Sequence, residues 1–236
     1  MKKDPPRNCS ECPAFKLGPL SSLGSKAIED LSQHKVRNIY KKSQNLFIEG
    51  SHPFGVFCIS SGNIKVTKSG KNGSESIVRI AKVGDFLGEQ SLFSGEQYKV
   101  TATAIEDTSV CFIDSKHILS IIKKEPTVAM KVIEGISKKM GFAEENLSSF
   151  HQKNVRERLA TLLIQLKEEH SQKELDGRFR ITLKLKRDEM ATMIGTASET
   201  LIRFITEFKQ ANLIEQVGKT LFIKNLKELE KWSKPI

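Results

Sequence analysis

The sequence predicts an α+β chain: an N-terminal antiparallel β-roll, a long dimerisation helix and a C-terminal winged helix-turn-helix. Three observations predict it. Runs of β-formers punctuated by turn residues recur between 45 and 113, the spacing of a compact antiparallel barrel or roll. From 114 onward the apolar period changes from two to three and four, which is helical. Near the C-terminus, "KRDEMATMIGTASETLIRFITEF" (186–208) sets a glycine between two short amphipathic helices, and two alternating runs behind it read as a hairpin.

Composition bounds the rest. A chain of 236 residues fits one large domain or two small ones, and 38% hydrophobic residues are enough for real cores. The net charge of +10 and pI near 9.4 suit a polyanionic partner, nucleic acid or an anionic membrane. Residues 151–236 hold 17 Lys or Arg against 12 Asp or Glu, and 1–150 hold 21 against 16, so the C-terminal part is the more basic per residue. No stretch reaches the roughly 18 apolar residues of a bilayer span. The opening MKKDPPRNCSECPAF lacks the apolar core of a signal peptide. A cytoplasmic chain with no membrane partner is expected, and Cys9, Cys12, Cys58 and Cys111 then read as free or metal-bound rather than as disulfides.

Residues 1–23, rich in Pro and Ser, read as a loose N-terminal arm. The β-roll sensor domain takes 24–114, the dimerisation helix 115–150 and the winged helix-turn-helix domain 151–236. GSKAIEDLSQHK (24–35) is a short helix. Strands are expected in 45–50, 56–62, 63–73, 76–85, 100–107 and 109–113, with GKNG (70–73) as a hairpin turn. In the long helix, Ala129, Ile133, Ile136, Met140, Ala143, Leu147 and Phe150 are spaced 4, 3, 4, 3, 4, 3. That narrow heptad seam, with charged or small flanks, reads as a two-stranded contact over 129–150; the other reading is one face packed on its own domain. HQKN (151–154) is a polar hinge, VRERLATLLIQLKEEH (155–170) an amphipathic helix and RFRITLKLK (178–186) a basic strand.

Asp188 and Glu189 sit in the first turn of the 186–194 helix, where the helix dipole favours negative charge. Gly195 ends that helix, and Ala191, four residues earlier, leaves room for a crossing neighbour. Ser198 reads as the N-cap of the second helix. Leu201, Phe204, Ile205 and Phe208 form its apolar stripe; Ser198, Glu199, Ile202 and Arg203 lie on the other side. Residues 213–223 form the wing, turning at Val217–Gly218–Lys219. In this motif the N-terminal end of the second helix enters the major groove. There an arginine pairs bidentately with guanine and a glutamate accepts from cytosine N4. Glu199 and Arg203 are four apart, so each can orient the other and read adjacent base pairs; a solvated ion pair is the alternative. Double-stranded DNA is the expected partner, contacted by Ser198, Glu199, Ile202, Arg203 and Lys219.

At these residues the chain resembles the transcription regulators related to the cyclic-AMP receptor protein and the fumarate-nitrate reduction regulator (CRP/FNR). The resemblance covers nearly the whole chain and rests on ISSGNIKV (59–66), VGDFLGEQSLF (83–93), the long helix, RERLATLL (156–163) and TASETLIRFITEF. It implies a homodimer on a pseudo-palindromic site, RNA polymerase as a partner, and base contacts by Glu199 and Arg203. The arginine that precedes the acid in the cyclic-AMP receptor is Ser198 here, and the serine that precedes the arginine in the oxygen sensor is Ile202.

The resemblance also implies a signal in a cyclic-nucleotide-binding-like jelly roll. FLGE carries Gly88 and Glu89 over to the phosphate and ribose positions. The arginine-serine pair of the family becomes Tyr98, Lys99 and Val100, and the adenine-reading pair becomes Ala143 and Glu144. Cyclic AMP or another cyclic nucleotide is one candidate, against a roll merely shaped by GDFLGE. An iron–sulfur cluster is the second. Cys9-Ser-Glu-Cys12 matches the first pair of the oxygen sensor's N-terminal cysteines and Cys111 the distant one; Gly18 stands near the place of the missing cysteine. Cys58 reads as core packing. A lone C-x2-C also suits structural zinc, or no metal. Other function classes find less. No G-x-x-x-x-G-K-[ST], H-E-x-x-H or G-x-S-x-G occurs and the five His are scattered, so no enzyme is expected; a ligand-independent DNA coat is separable by its lack of sequence preference.

Overall fold

The structure is a computed structural model and describes residues 8–70 and 73–235. The chain divides into two compact units, with the boundary after Gly141. The first unit holds two four-stranded antiparallel sheets. One runs in the order β1 (Val36–Tyr40), β8 (Thr108–Asp114), β3 (Gly55–Ser61), β6 (Phe86–Leu87). The other runs β2 (Asn45–Phe47), β7 (Thr101–Ala104), β4 (Ile64–Ser69), β5 (Glu75–Ala81). Strand alternation sorts the side chains: Ile64 and Val66 are buried while Lys65 between them is only half-buried. Phe47, Ile59, Ile64, Leu87 and Val110 join both sheets in one core. Residues this completely buried each stabilise by roughly 1.5–3 kcal/mol. The middle of the expected 70–73 turn, Lys71 and Asn72, lies outside the described residues, but β4 and β5 pair as its flanks require.

Two expectations are corrected, and three elements were not anticipated. The segment read as a loose arm over 1–23 is packed from residue 8 onward. A 3-10 turn at Cys9–Glu11, helix α1 (Pro13–Leu17) and a second turn at Pro19–Ser22 bury Cys9, Cys12, Ala14, Phe15, Leu20 and Leu23. They join a core with Leu31, Val56, Ile113 and Ile118. Pro13 and Pro19 begin helical turns, where a missing N–H leaves nothing unsatisfied, so here Pro marks structure and not its absence. Residues 1–7 lie outside the described set. The single helix expected over 115–150 is two, α4 (Ser115–Lys124) and α5 (Pro126–Gln152). Pro126 excludes Glu125 from the helical region, and Glu125 sits at φ −125°, ψ 82°. Finally, β1, β6 and a short helix α3 (Glu89–Ser94) had no expectation; β1 is an edge strand with Val36 and Ile39 exposed. The short helix expected over 24–35 is α2 (Ser25–His34).

Val128 and Val132 turn α5 onto the first unit's core. Seam residues Ile133, Met140 and Leu147 are 55%, 63% and 61% exposed, whereas Ile136 packs on the first unit's core, so the chain's own fold covers that stripe only in part. The second unit contains α6 (Val155–His170), started by a reciprocal cap between Asn154 and Glu157. Helices α7 (Arg187–Met193) and α8 (Ser198–Gln210) follow, and α9 (Leu226–Trp232) closes the chain. Its sheet has the order β11 (Ile214–Val217), β12 (Thr220–Ile223), β10 (Phe179–Ile181), β9 (Ser171–Lys173). The basic strand expected over 178–186 is only the three residues of β10; beyond it Thr182 N–H donates to the His170 carbonyl at 2.7 Å instead of to the sheet. Among the described residues no helix is long and apolar enough to cross a membrane.

Candidate nucleic-acid interface and sensor residues

The second unit holds α8 by its apolar stripe. Leu201, Ile205 and Phe208 are buried, and Phe208 meets Trp232 edge-on at 5.0 Å. Phe204 is only half-buried. The opposite face is open: Glu199, Ile202 (51% exposed) and Arg203 all reach solvent. Two details differ from expectation. The helix begins at Ser198 and its N-cap is Ala197. The Ser198 hydroxyl donates instead to Asp188 Oδ1 at 2.6 Å, tying α8 to the first turn of α7. Nor do Glu199 and Arg203 orient each other: no ion pair joins them, and the Arg203 guanidinium lies 5.1 Å from the Phe204 ring. Solvation outcompetes an exposed pair of this kind, and both groups stay available to a ligand.

The turn between α7 and α8 depends on Gly195. Its φ is +63°, and a Cβ there would stand 2.6 Å from Phe150 Cε1. Arg158, which no sequence pattern marked, braces the same turn. Its Nε donates to the Ile194 carbonyl at 2.8 Å and its Nη1 to the Lys153 carbonyl at 2.6 Å. Burial lowers the Arg158 pKa, Glu157 opposing. The wing is the hairpin of β11 and β12, turning at Gly218 (φ +59°) and Lys219, with Lys219 exposed at its tip. Arg187 of α7 hydrogen-bonds Gln216 of β11, joining helix-turn-helix to wing.

In the roll, Gly88 is left-handed (φ +86°), and a Cβ there would lie 3.2 Å from the Gly55 carbonyl oxygen and 3.3 Å from the Tyr98 ring. Glu89, only 4% exposed, is ion-paired to Lys139 of α5, which also donates to the Phe86 carbonyl at 2.9 Å. Tyr98 is buried and stacks on Phe47 at 3.9 Å. Burial, and after it the Glu89 carboxylate, pushes its phenol up to about 12. Lys99 points elsewhere, 3.5 Å from Glu96. Ala143 and Glu144 are exposed and belong to the second unit. The structure thus brings Gly88, Glu89 and Tyr98 together, but Glu89 already has a partner and Lys99 does not join them.

Cys58 packs, as expected, against the core that holds Cys9 and Cys12. Cys58 and Cys111 face each other across the β3–β8 ladder. Cys9 and Cys12 close on them from the N-terminal segment: burial raises the pKa of Cys58, with Cys111, Cys12 and Cys9 all adding to it. Burial also raises Cys111. Lys35 Nζ stands 3.1 Å from Cys9 Sγ. All four are free thiols. The absent cysteine has a steric reason, since a Cβ at Gly18 would come 2.8 Å from the Gly84 carbonyl oxygen. An iron–sulfur cluster ordinarily takes four cysteine ligands, and these four cysteines match that number.

Residues 37–125 match the cyclic nucleotide-binding domain model and residues 157–232 the Crp-like helix-turn-helix domain model. The chain is 27% identical to the fumarate and nitrate reduction regulatory protein of Vibrio cholerae, over 94% of this chain and 88% of that one. It is 28% identical to the transcriptional activator protein Anr of Pseudomonas aeruginosa, over 95% and 92%. A CRP-like cAMP-activated global transcriptional regulator of Mycobacterium tuberculosis is 23% identical over 91% and 95%. Among solved structures, FixK2 from Bradyrhizobium japonicum superposes with a TM-score of 0.77 at 20% identity, covering 86% of this chain and 98% of that one. The matches cover both the roll and the winged helix-turn-helix, and the chain belongs to the CRP/FNR family of DNA-binding transcription regulators.

Proposed function

We propose that two copies pair along 129–150 of α5 and present their α8 helices to successive major grooves of a pseudo-palindromic site. The observation that carries this is the open face of α8 on a helix anchored by buried Leu201, Ile205 and Phe208. Arg203 reads a guanine, Glu199 accepts from a cytosine, and exposed Ile202 suits a thymine methyl. Ser198 is held by Asp188 and so offers its remaining lone pair to the backbone or a base edge. Lys219 at the wing tip meets phosphate, which positions without specifying. The protein works on DNA in the cytoplasm, with RNA polymerase as its downstream partner and no reaction of its own. Arg203→Ala tests the reading in a gel-shift competition. Discrimination between specific and random duplex should fall roughly 5- to 150-fold, the 1–3 kcal/mol of one bidentate contact, while salt-dependent nonspecific binding persists. Unchanged discrimination contradicts it.

For the signal, we infer a thiol-borne one. Glu89 is committed to Lys139, whereas Cys9 and Cys12 share a core with Cys58, which pairs with Cys111 across the ladder. Cys9 and Cys12 would hold an iron–sulfur cluster from the N-terminal segment, and Cys58 and Cys111 from the sheet. When bound, the group supplies one-electron redox chemistry and sensitivity to oxidants. The chain's own part is to join a segment that precedes α2 to the strands leading into α4. Anaerobically purified protein should show a broad visible absorbance that Cys58→Ala abolishes. Calorimetric binding of cyclic AMP, with no such absorbance, would favour the nucleotide reading instead.

A further inference from the structure

Away from the cysteines, Asp30, His34 and His117 bring one ligand atom each to within 4.8 Å of the others. Asp30 and His34 are one turn apart on α2. Asp30 Oδ1 is 3.2 Å from His34 Nδ1, and Oδ2 is 3.4 Å from His117 Nε2. The two imidazoles stack, with centroids 4.7 Å apart and planes inclined by 22°. His117 does not drift: Asp114 accepts its backbone N–H at 3.0 Å and so caps α4. Its side chain is 15% exposed, and Nε2 itself is shielded from solvent without a hydrogen bond. His34 Nδ1 also lies 2.8 Å from the Asp30 carbonyl oxygen, whereas His117 Nε2 has no hydrogen bond, and a bridging cation would satisfy it.

We propose that Asp30, His34 and His117 form a binding site for a divalent first-row transition metal, clamping α2 to α4. Two imidazoles and one carboxylate suit zinc, nickel or cobalt and not calcium or magnesium, which take oxygen. Metal–ligand bonds of about 2.0–2.2 Å place neighbouring ligand atoms roughly 3–3.6 Å apart. One atom from each of the three residues lies within 4.8 Å of the others, so closure needs the ring nitrogens and one Asp30 oxygen to draw together by about 1 Å. Asp30 and His34 are 55% and 54% exposed, so the fourth position opens to water. His34 is the last residue of α2, where the helix carbonyl end favours a cation. The site is separate from the thiols in ligand type, which makes the two distinguishable.

Cobalt(II) titration of the full chain, read by absorbance, tests this. The expected result is one equivalent with weak visible d–d bands that persists in Cys58→Ala, apart from any thiolate charge-transfer band, with a tenfold or greater loss of affinity for that equivalent in His34→Ala and in His117→Gln. His34 is half-exposed, so His34→Ala keeps the fold even if the buried variant does not, and circular dichroism checks both. Absence of such bands, or affinity unchanged in His34→Ala, overturns the proposal. So does a spectrum carried wholly by thiolate charge transfer.

Discussion

At Gly195 the backbone needs both a left-handed φ of +63° and an empty Cβ position beside Phe150. Gly195→Ala should therefore destabilise the second unit by about 1–3 kcal/mol, seen as a lower midpoint in urea. The same reasoning applies to a charge. Glu89 is buried against Lys139, and Lys139→Met leaves that carboxylate buried and unpaired, a loss of about 3 kcal/mol or more. If Lys139→Met unfolds at the wild-type midpoint, the pair is not what holds Glu89. The thiols give a pH dependence with a definite sign. Burial raises the pKa of both Cys58 and Cys111, so the unfolded chain ionises them first. Their contribution is complete below the unfolded value of about 8.5 and falls as pH rises beyond it. Denaturant melts at rising alkaline pH should lose stability more steeply in the wild type than in Cys58→Ala. Sequence reasoning found Glu199, Ile202 and Arg203 because helix periodicity alone puts them on one face. It mistook the N-cap, since a hydroxyl at 198 can serve either its own helix or the carboxylate of Asp188, and only tertiary placement decides.

Elements were legible where a period was long. α6 and the two helices around Gly195 stood out because 3.6-residue spacing recurs over several turns. Strands β3, β4, β5, β7 and β8 stood out because alternation and turn residues agree. β1 escaped because its VRNIY alternates weakly and lies on an edge, and β6 because two residues carry no pattern. The N-terminal segment was misread because its apolar residues, Ala14, Phe15, Leu20 and Leu23, are set among Pro and Ser without a period. In α5 the partly exposed seam makes its own prediction. Leu147→Glu puts a charge opposite its counterpart in a paired stalk, so sedimentation should give a monomer, with the fold kept because Leu147 is 61% exposed in one chain. A dimer that persists unaltered in Leu147→Glu would move the contact elsewhere.

At the scale of the whole molecule the chain carries three places with proposed chemistry: the face of α8, the thiols, and the histidine pair. The first was readable from sequence because it is local. The other two were not, since Cys58 meets Cys111 only through strand register and His34 meets His117 across 83 positions of chain. Selection of bound duplexes from a random pool, by the wild-type protein at moderate salt, tests the central claim most directly. The enriched sequence should be an inverted repeat with half-site centres about 10–10.5 base pairs apart or a multiple of that. Enrichment of a single unrepeated element, or none, would contradict a paired reader working through α8.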